Sequence, residues 1–170
     1  AATLRQADNI EKVVLVSATP CFSKQVNWEC GVNEVSQKAF SDGLENDFEE
    51  TLNQFWLQCY GANWIDESLR RLDKSSITED VPAKNVMQTG LQLLYRSNLL
   101  ADLKTCKVPA LFLGGTRDRT IRPESFARAA AGMPAAGSRL IRGAGHAPFI
   151  SHQDSFLEIT RSFLQGEQSV

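Results

Sequence analysis

The sequence contains two histidines, and the surroundings of one of them favour proton-transfer chemistry. His146 lies in the segment Gly-Ala-Gly-His-Ala-Pro-Phe at 143–149, just after a short apolar run. Glycines free the backbone to project a side chain there, and an imidazole can accept and return a proton near neutral pH. His152 precedes the last helical pattern, and we interpret it as a structural residue.

Asp118 is the matching carboxylate, because it follows the preceding apolar run in the segment Leu-Gly-Gly-Thr-Arg-Asp at 113–118. From a neighbouring loop it could accept the second N–H of the His146 ring, fix the tautomer and stabilise the imidazolium. It could also simply satisfy backbone amides of its own turn. The order strand–Asp, helix, strand–His favours the pair, since it matches the chain order Ser…Asp…His of the α/β-hydrolase fold.

The nucleophile of that fold is missing from the sequence, which has no G-x-S-x-G motif. Ser17 follows an apolar run without flanking glycines, and Ser138 follows a glycine but lacks the rest of the motif. In that fold the nucleophile and the oxyanion-hole donors precede a strand such as 13–16. We therefore expect the serine to lie upstream of Ala1, and we expect the 170 residues alone to have no hydrolytic activity.

Short apolar runs and helical patterns predict the elements that position these two loops. Continuous apolar runs at 13–16 and 110–113, and a shorter one at 139–141, are typical of buried strands. Helical patterns at 124–131, which follows a proline, and at 154–164 come after the second and third runs. This order predicts an α/β fold with a parallel sheet flanked by helices.

Residues 1–20 and 100–170 are predicted to form the partial α/β core, and 21–99 an inserted, mostly helical lid. Asn46 with Glu49 three residues on resembles a capping box that would start one helix of the insert. Further helices are predicted at 65–72 and 86–95. An insert after the carboxyl end of a strand lies where α/β folds bind ligands, so it could cover a site or serve only in packing.

Composition excludes several classes of protein. A net charge of −2, with 42% hydrophobic and 22% charged residues, is typical of a globular protein and not of a disordered chain. The apolar runs are too short to span a membrane, and no basic stripe with interleaved aromatics indicates nucleic-acid binding. The cysteines form no CxxC pair, so we expect reduced thiols in a cytoplasmic protein and no metal site; they are Cys21, Cys30, Cys59 and Cys106.

Three segments of the sequence, 14–23, 115–121 and 145–152, resemble the pimeloyl-[acyl-carrier protein] methyl ester esterases of biotin synthesis. The string His-Ala-Pro-Phe-Ile-Ser-His at 146–152 is the most specific of them. The resemblance implies a serine carboxylesterase with a helical lid, which cleaves the methyl ester of a pimeloyl chain carried on acyl carrier protein. It implies Asp118 as the triad acid and His146 as the base, and it implies no metal or organic cofactor.

The resemblance also implies that one lid helix lines the acyl tunnel. Large apolar groups can cover a methylene chain, at about 0.8 kcal/mol for each CH₂ buried, although two of these residues could equally be lid core (Phe55 and Trp56). The implied substrate-binding residues are Phe55, Trp56, Leu57, Gln58 and Cys59.

The surface that would dock the acidic carrier departs from the family, because acidic side chains such as Glu49 and Glu50 occupy the lid. Residues 42–80 hold ten acidic residues against three basic ones, whereas 100–170 hold six against nine. This imbalance could be an ordinary solvated surface or an attraction for an acidic partner. We hypothesise that five arginines share the docking: Arg70, Arg71, Arg117, Arg119 and Arg122.

Two other functions fit the same residues. One is a different α/β hydrolase, such as a lipase-like esterase or a C–C bond hydrolase. The other is a binding or assembly module in which the acid and base are relics. In either case we expect the raw sheet edge to be covered, by self-association or by pairing with the missing N-terminal part.

Overall fold

A computed structural model describes residues 9–60 and 84–166 of the chain. The elements in chain order are β1 (Val13–Val16), α1 (Glu34–Asn46), α2 (Phe48–Tyr60), α3 (Lys84–Arg96), α4 (Leu100–Leu103), β2 (Ala110–Gly115), α5 (Glu124–Ala131), β3 (Ala136–Ile141), α6 (Pro148–Ser151) and α7 (Gln153–Gln165). No helix within these described ranges is both long enough and apolar enough to cross a membrane.

The three strands form one parallel sheet, as the sequence predicts, and their order across the sheet is β1-β2-β3. All six residues of the central strand β2 are buried, because it has a strand on either edge and side chains against both faces. The outer strand β3 begins at Ala136, three residues before the predicted start. Its less apolar first half pairs with β2 through backbone groups, opposite Ala110 to Phe112, and such pairing does not need an apolar side chain.

Helices cover the two faces of the sheet, because successive side chains of β2 point in opposite directions. Phe112 packs in one apolar cluster with Phe126 of α5. Leu111 and Leu113 pack in a second cluster with Phe163 of α7. Gly114 has no room for a Cβ, which would overlap the Phe126 ring. The apolar run of β2 is therefore continuous because each of its faces has its own helix.

The described part of the predicted insert is helical only from residue 34 onward. Residues 21–33, which the sequence predicts to be part of a mostly helical insert, instead form a loop held by isolated bridges, Ser23 to Val32 and Gln25 to Trp28. Gln25 and Trp28 exchange two backbone hydrogen bonds of 3.0 Å, which close a tight turn that a helix cannot contain. The helix predicted at 86–95 is present as α3, and the one predicted at 65–72 lies outside the described residues.

The predicted capping box at Asn46 is wrong by one residue. Asn46 is the last residue of α1, and its side-chain amide donates to the Asp42 carbonyl at 2.8 Å. The carboxylate of Asp47 instead accepts from the Glu50 amide at 3.4 Å and caps α2. A single residue thus separates α1 from α2. The carboxyl end of α2 lies among the loops that follow the strands.

Candidate active site

The loops that follow β2 and β3 run side by side at the carboxyl edge of the sheet. The Thr116 amide donates to the Ile141 carbonyl at 3.0 Å, and the Arg117 amide donates to the Ala144 carbonyl at 2.9 Å. Gly115 makes this approach feasible, because a Cβ there would overlap the backbone of Ala144. The glycines at the end of β2 therefore bring the loop of the predicted acid against the loop of the predicted base.

The side chains of Asp118 and His146 are in direct contact. Oδ2 of Asp118 lies 2.9 Å from Nδ1 of His146, and the carboxylate is fully buried whereas 24% of the imidazole side chain is exposed. The other oxygen, Oδ1, accepts the backbone amides of Thr120 at 2.8 Å and Ile121 at 2.9 Å. Asp118 thus fills both roles weighed from the sequence, since one oxygen closes its own turn and the other holds the imidazole.

This arrangement is chemically suited to proton transfer. A buried carboxylate is costly unless hydrogen bonds satisfy it, and those from two amides and an imidazole do so here. A carboxylate at this distance can accept the Nδ1–H of a histidine and so favour the tautomer that leaves Nε2 without a proton. On the partly exposed ring of His146, Nε2 is then the nitrogen that can exchange a proton with a reactant.

The carboxyl end of α2 lies against both of these loops. The His146 amide donates to the Cys59 carbonyl at 3.1 Å, and the side-chain amide of Gln58 donates to the Arg119 carbonyl at 2.9 Å. The Cys59 sulfur lies 3.7 Å from the hydroxyl oxygen of Thr120. Sequence reasoning allowed for backbone amides of the turn as partners of Asp118 but did not name those of Thr120 and Ile121; an Asp side chain that accepts the amide two residues on is the signature of an Asx turn.

Cys59 is a buried thiol, with 3% of its surface exposed. Burial raises the pKa of Cys59 to about 11; the negative charge of Asp118 also raises it, and the hydrogen bond with Thr120 lowers it. Cys59 is therefore a neutral thiol near neutral pH and is not a nucleophile there. None of the described cysteines is joined to another in a disulfide.

The other residues predicted to bind the acyl chain lie on α2 before Gln58. The ring of Phe55 has its centroid 5.7 Å from that of Phe40 on α1 and 5.8 Å from that of Trp56. Leu57 is half-buried. These contacts show how α2 packs on α1, and the lining of an acyl tunnel stays a prediction.

The predicted docking arginines are described only in part. Arg117, Arg119 and Arg122 are exposed and flank the buried Asp118. One guanidinium nitrogen of Arg122 lies 3.8 Å from a carboxylate oxygen of Glu124. Arg70 and Arg71 lie outside the described residues. His152, interpreted as structural, immediately precedes α7, and its Nδ1 lies 2.9 Å from the Ser151 hydroxyl.

One strained residue at the same edge was not singled out as functional. Ser17 directly follows β1 and has a φ of 47°, in the left-handed region that non-glycine residues rarely adopt. Its hydroxyl oxygen is buried and finds no hydrogen-bond partner among residues 9–60 and 84–166. Within those same residues, no group of three or more His, Cys, Asp or Glu side chains is arranged to hold a metal ion.

Comparison with solved structures identifies the fold. An esterase from Exiguobacterium antarcticum matches with a TM-score of 0.83 at 16% identity, over 96% of this chain and 62% of that one. A bromoperoxidase from Bacillus anthracis matches with a TM-score of 0.80 at 23% identity, over 96% and 63%. The chain has the α/β-hydrolase fold and matches the C-terminal part of such structures.

Among curated sequences, the chain is similar to esterases that share one name. The chain is 30% identical over 167 residues to the pimeloyl-[acyl-carrier protein] methyl ester esterase of Xylella fastidiosa (strain 9a5c), covering 96% of this chain and 64% of the relative. It is 32% identical over 156 residues to the esterase of the same name from Xanthomonas campestris, covering 91% and 62%. The chain is similar in sequence to these esterases, and its fold is that of the α/β hydrolases.

The relatives are longer than this chain, which spans about 60% of their length. No family model matches the chain.

The stability of the chain is expected to fall between pH 9 and pH 11 because of Cys59. The pKa of this thiol is about 11 in the folded state against an ordinary 9.0, so the folded state binds more protons than the unfolded state in this window. The free energy of unfolding then decreases as pH rises, by up to about 3 kcal/mol. Urea unfolding at pH 8 and pH 10.5 measures this loss, and Cys59→Ala should reduce it. Equal losses in the two proteins would contradict the assignment.

Proposed function

We propose that the complete protein is a serine carboxylesterase that hydrolyses the methyl ester of a pimeloyl chain carried by acyl carrier protein, in the cytoplasm. The observation that carries this proposal is the contact between Asp118 and His146 at the carboxyl edge of the sheet. The similarity of the chain to esterases of that name supports the choice of substrate. That the protein is an esterase-type α/β hydrolase does not depend on which ester it hydrolyses.

The reaction is an acyl transfer in two halves. A serine hydroxyl, supplied by a part of the protein outside this sequence, attacks the ester carbonyl while Nε2 of His146 takes its proton. The imidazolium, stabilised by Asp118, gives that proton to the departing methoxy oxygen, so methanol leaves and an acyl-serine remains. Water then attacks the acyl-serine with His146 as base, and the proton returns to the serine oxygen as the free carboxylate is released.

The arginines beside the acid suit an acidic carrier. Arg117, Arg119 and Arg122 are exposed on the loop that holds Asp118, so a carrier bound there would present its acyl chain near the base. Positive charge raises the rate of association with an acidic protein and is screened by salt. In this proposal Arg70 and Arg71, which lie outside the described residues, share in carrier binding.

The outer edge of β1 suits the part of the protein that carries the nucleophile. Among the described strands β1 pairs only with β2, so its second edge is available for another strand. In this proposal the second edge of β1 pairs with the part of the enzyme that carries the nucleophile, or with a second copy of the chain when that part is absent.

Replacement of the acid is expected to slow the reaction strongly. In the complete enzyme, Asp118→Asn should lower kcat by about 10⁴-fold, because the amide favours the wrong tautomer of His146. The measurement is steady-state hydrolysis of the pimeloyl-carrier methyl ester. Asp102→Asn, at an exposed carboxylate on α4, is the matched control and should remain near wild type. Near-normal turnover of Asp118→Asn would reject Asp118 as the orienting acid.

The 170-residue chain by itself is expected to be inactive toward esters, because the sequence lacks the nucleophile motif. The assay is release of p-nitrophenol from a short p-nitrophenyl ester. Hydrolysis that disappears in His146→Ala would contradict this expectation and would show that the chain holds its own nucleophile.

Reversing the arginine charges is expected to weaken carrier binding. Arg117→Glu, Arg119→Glu and Arg122→Glu together should raise the Kd for acyl carrier protein by about tenfold or more, and should flatten its dependence on salt. Titration calorimetry at two salt concentrations measures both effects. Arg161→Glu, at an exposed position on α7, is the control. Unchanged affinity in the triple variant would refute the docking surface.

A substrate panel separates this proposal from the other hydrolases. The proposal expects kcat/KM for the carrier-bound methyl ester to exceed that for free short-chain esters. Preference for free esters or for a C–C bond substrate would favour the alternatives. Activity on none of these by the complete protein would favour a binding module.

A further inference from the structure

Four residues near the base form a closed ring of polar contacts. The Cys59 carbonyl accepts from the His146 amide at 3.1 Å, and Nδ1 of His146 lies 2.9 Å from Oδ2 of Asp118. Oδ1 of Asp118 accepts from the Thr120 amide at 2.8 Å, and the Thr120 hydroxyl lies 3.7 Å from the Cys59 sulfur. The ring joins α2, the loop after β2 and the loop after β3.

The ring fixes the base at two points. The backbone of His146 is held through its amide by α2, and its imidazole is held through Nδ1 by the carboxylate. Two separate attachments restrain the direction of Nε2 more tightly than the carboxylate alone. Because a catalytic group must lie within a fraction of an ångström of its working position, such restraint bears directly on kcat.

Thr120 connects the acid to α2. Its backbone amide holds Oδ1 of Asp118, and its hydroxyl meets the Cys59 sulfur. The thiol lies in a buried position, where a polar contact is screened little by water. A movement of the end of α2 therefore reaches the acid through Thr120 and the base through the Cys59 carbonyl.

Two neighbouring features show that α2 makes a specific contact with the loops after β2 and β3. Gln58, the residue before Cys59, donates its side-chain amide to the Arg119 carbonyl at 2.9 Å, next to Thr120. Gly145, the residue before His146, is approached closely by α2, since a Cβ there would come within 2.9 Å of the Cys59 carbonyl oxygen. Both loops are therefore shaped to receive the end of this helix.

We propose that Cys59 and Thr120 are positioning residues, through which the end of α2 holds Asp118 and His146 in alignment. The consequence for turnover rests on the proposed function, whereas the alignment itself does not. Besides its place in the predicted lid, α2 would thereby help to align the acid and the base whenever it is docked.

The alignment is tested by NMR of the full chain labelled with ¹⁵N-histidine. Only two histidines are present, and His152→Gln assigns the signals. The Nδ1–H proton of His146, hydrogen-bonded to a buried carboxylate, should give a strongly downfield signal. Thr120→Val keeps the size and the backbone amide of Thr120 but removes the hydroxyl, and it should speed exchange of that proton with water by roughly tenfold. Cys59→Ala should have the same effect.

Two matched variants control this experiment. Thr120→Ser restores a hydroxyl and should return the exchange rate to within about twofold of wild type. Cys106→Ala removes a different buried thiol, in the core cluster of the sheet, and should leave the rate unchanged. Wild-type exchange in both Thr120→Val and Cys59→Ala, or equally faster exchange in Cys106→Ala, would overturn the proposal.

The kinetic arm uses the complete enzyme. Thr120→Val should lower kcat by roughly tenfold with KM within about twofold, because Thr120 aligns the acid and the base and is not among the predicted acyl-binding residues. Thr120→Ser should recover kcat. A rise in KM at constant kcat would overturn the positioning role. Absence of ester hydrolysis in the wild type would refute the proposed function instead, and the NMR result would still decide the alignment.

Discussion

The buried carboxylate of Asp118 is the constraint on which the rest of the site depends. A carboxylate removed from water is tolerated only when its oxygens are paired. Here the Thr120 and Ile121 amides satisfy one oxygen and His146 satisfies the other. The first two partners oblige the chain to turn immediately after Asp118, and the third obliges the next loop to lie against it. One side chain therefore sets the shape of its own loop and the position of its neighbour.

The parallel sheet provides the approach that this carboxylate requires. The continuous burial of β2 holds it rigidly between β1 and β3, so the loops that follow β2 and β3 leave the sheet at fixed positions. Gly115 then allows the two loops to touch where any side chain would separate them. Gly145 likewise has no side chain, which lets the carboxyl end of α2 approach the loop after β3. Small residues at the strand ends thus allow a large number of polar contacts in a small space.

Much of this could be predicted from the sequence, because the signals were local. Continuous apolar runs marked β1 and β2, and Pro123 before an amphipathic segment marked α5, which begins at Glu124 as expected. Asp118 and His146 stood in glycine-containing loops after successive strands, which was enough to predict their contact. The bridged loop at 21–33 could not be predicted, because its backbone bonds depend on no distinctive residue type. Likewise, the contact of Cys59 with Thr120 joins residues 61 positions apart, and nothing in either segment indicates it.

The acid–base pair is complete without the strand that would carry a nucleophile. Among residues 9–60 and 84–166, the hydrogen bonds that hold Asp118 and His146 come from the loops after β2 and β3 and from the end of α2. Their alignment can therefore be established by this chain, and the proposed reaction then needs a serine hydroxyl brought to Nε2 and hydrogen-bond donors for the oxyanion. Because Cys59, whose carbonyl accepts from the His146 amide, lies on α2, a helix inserted after β1, the proposed esterase would gain a properly directed base only when this helix is docked. The docking of α2 and the direction of the proposed base would in this way depend on each other.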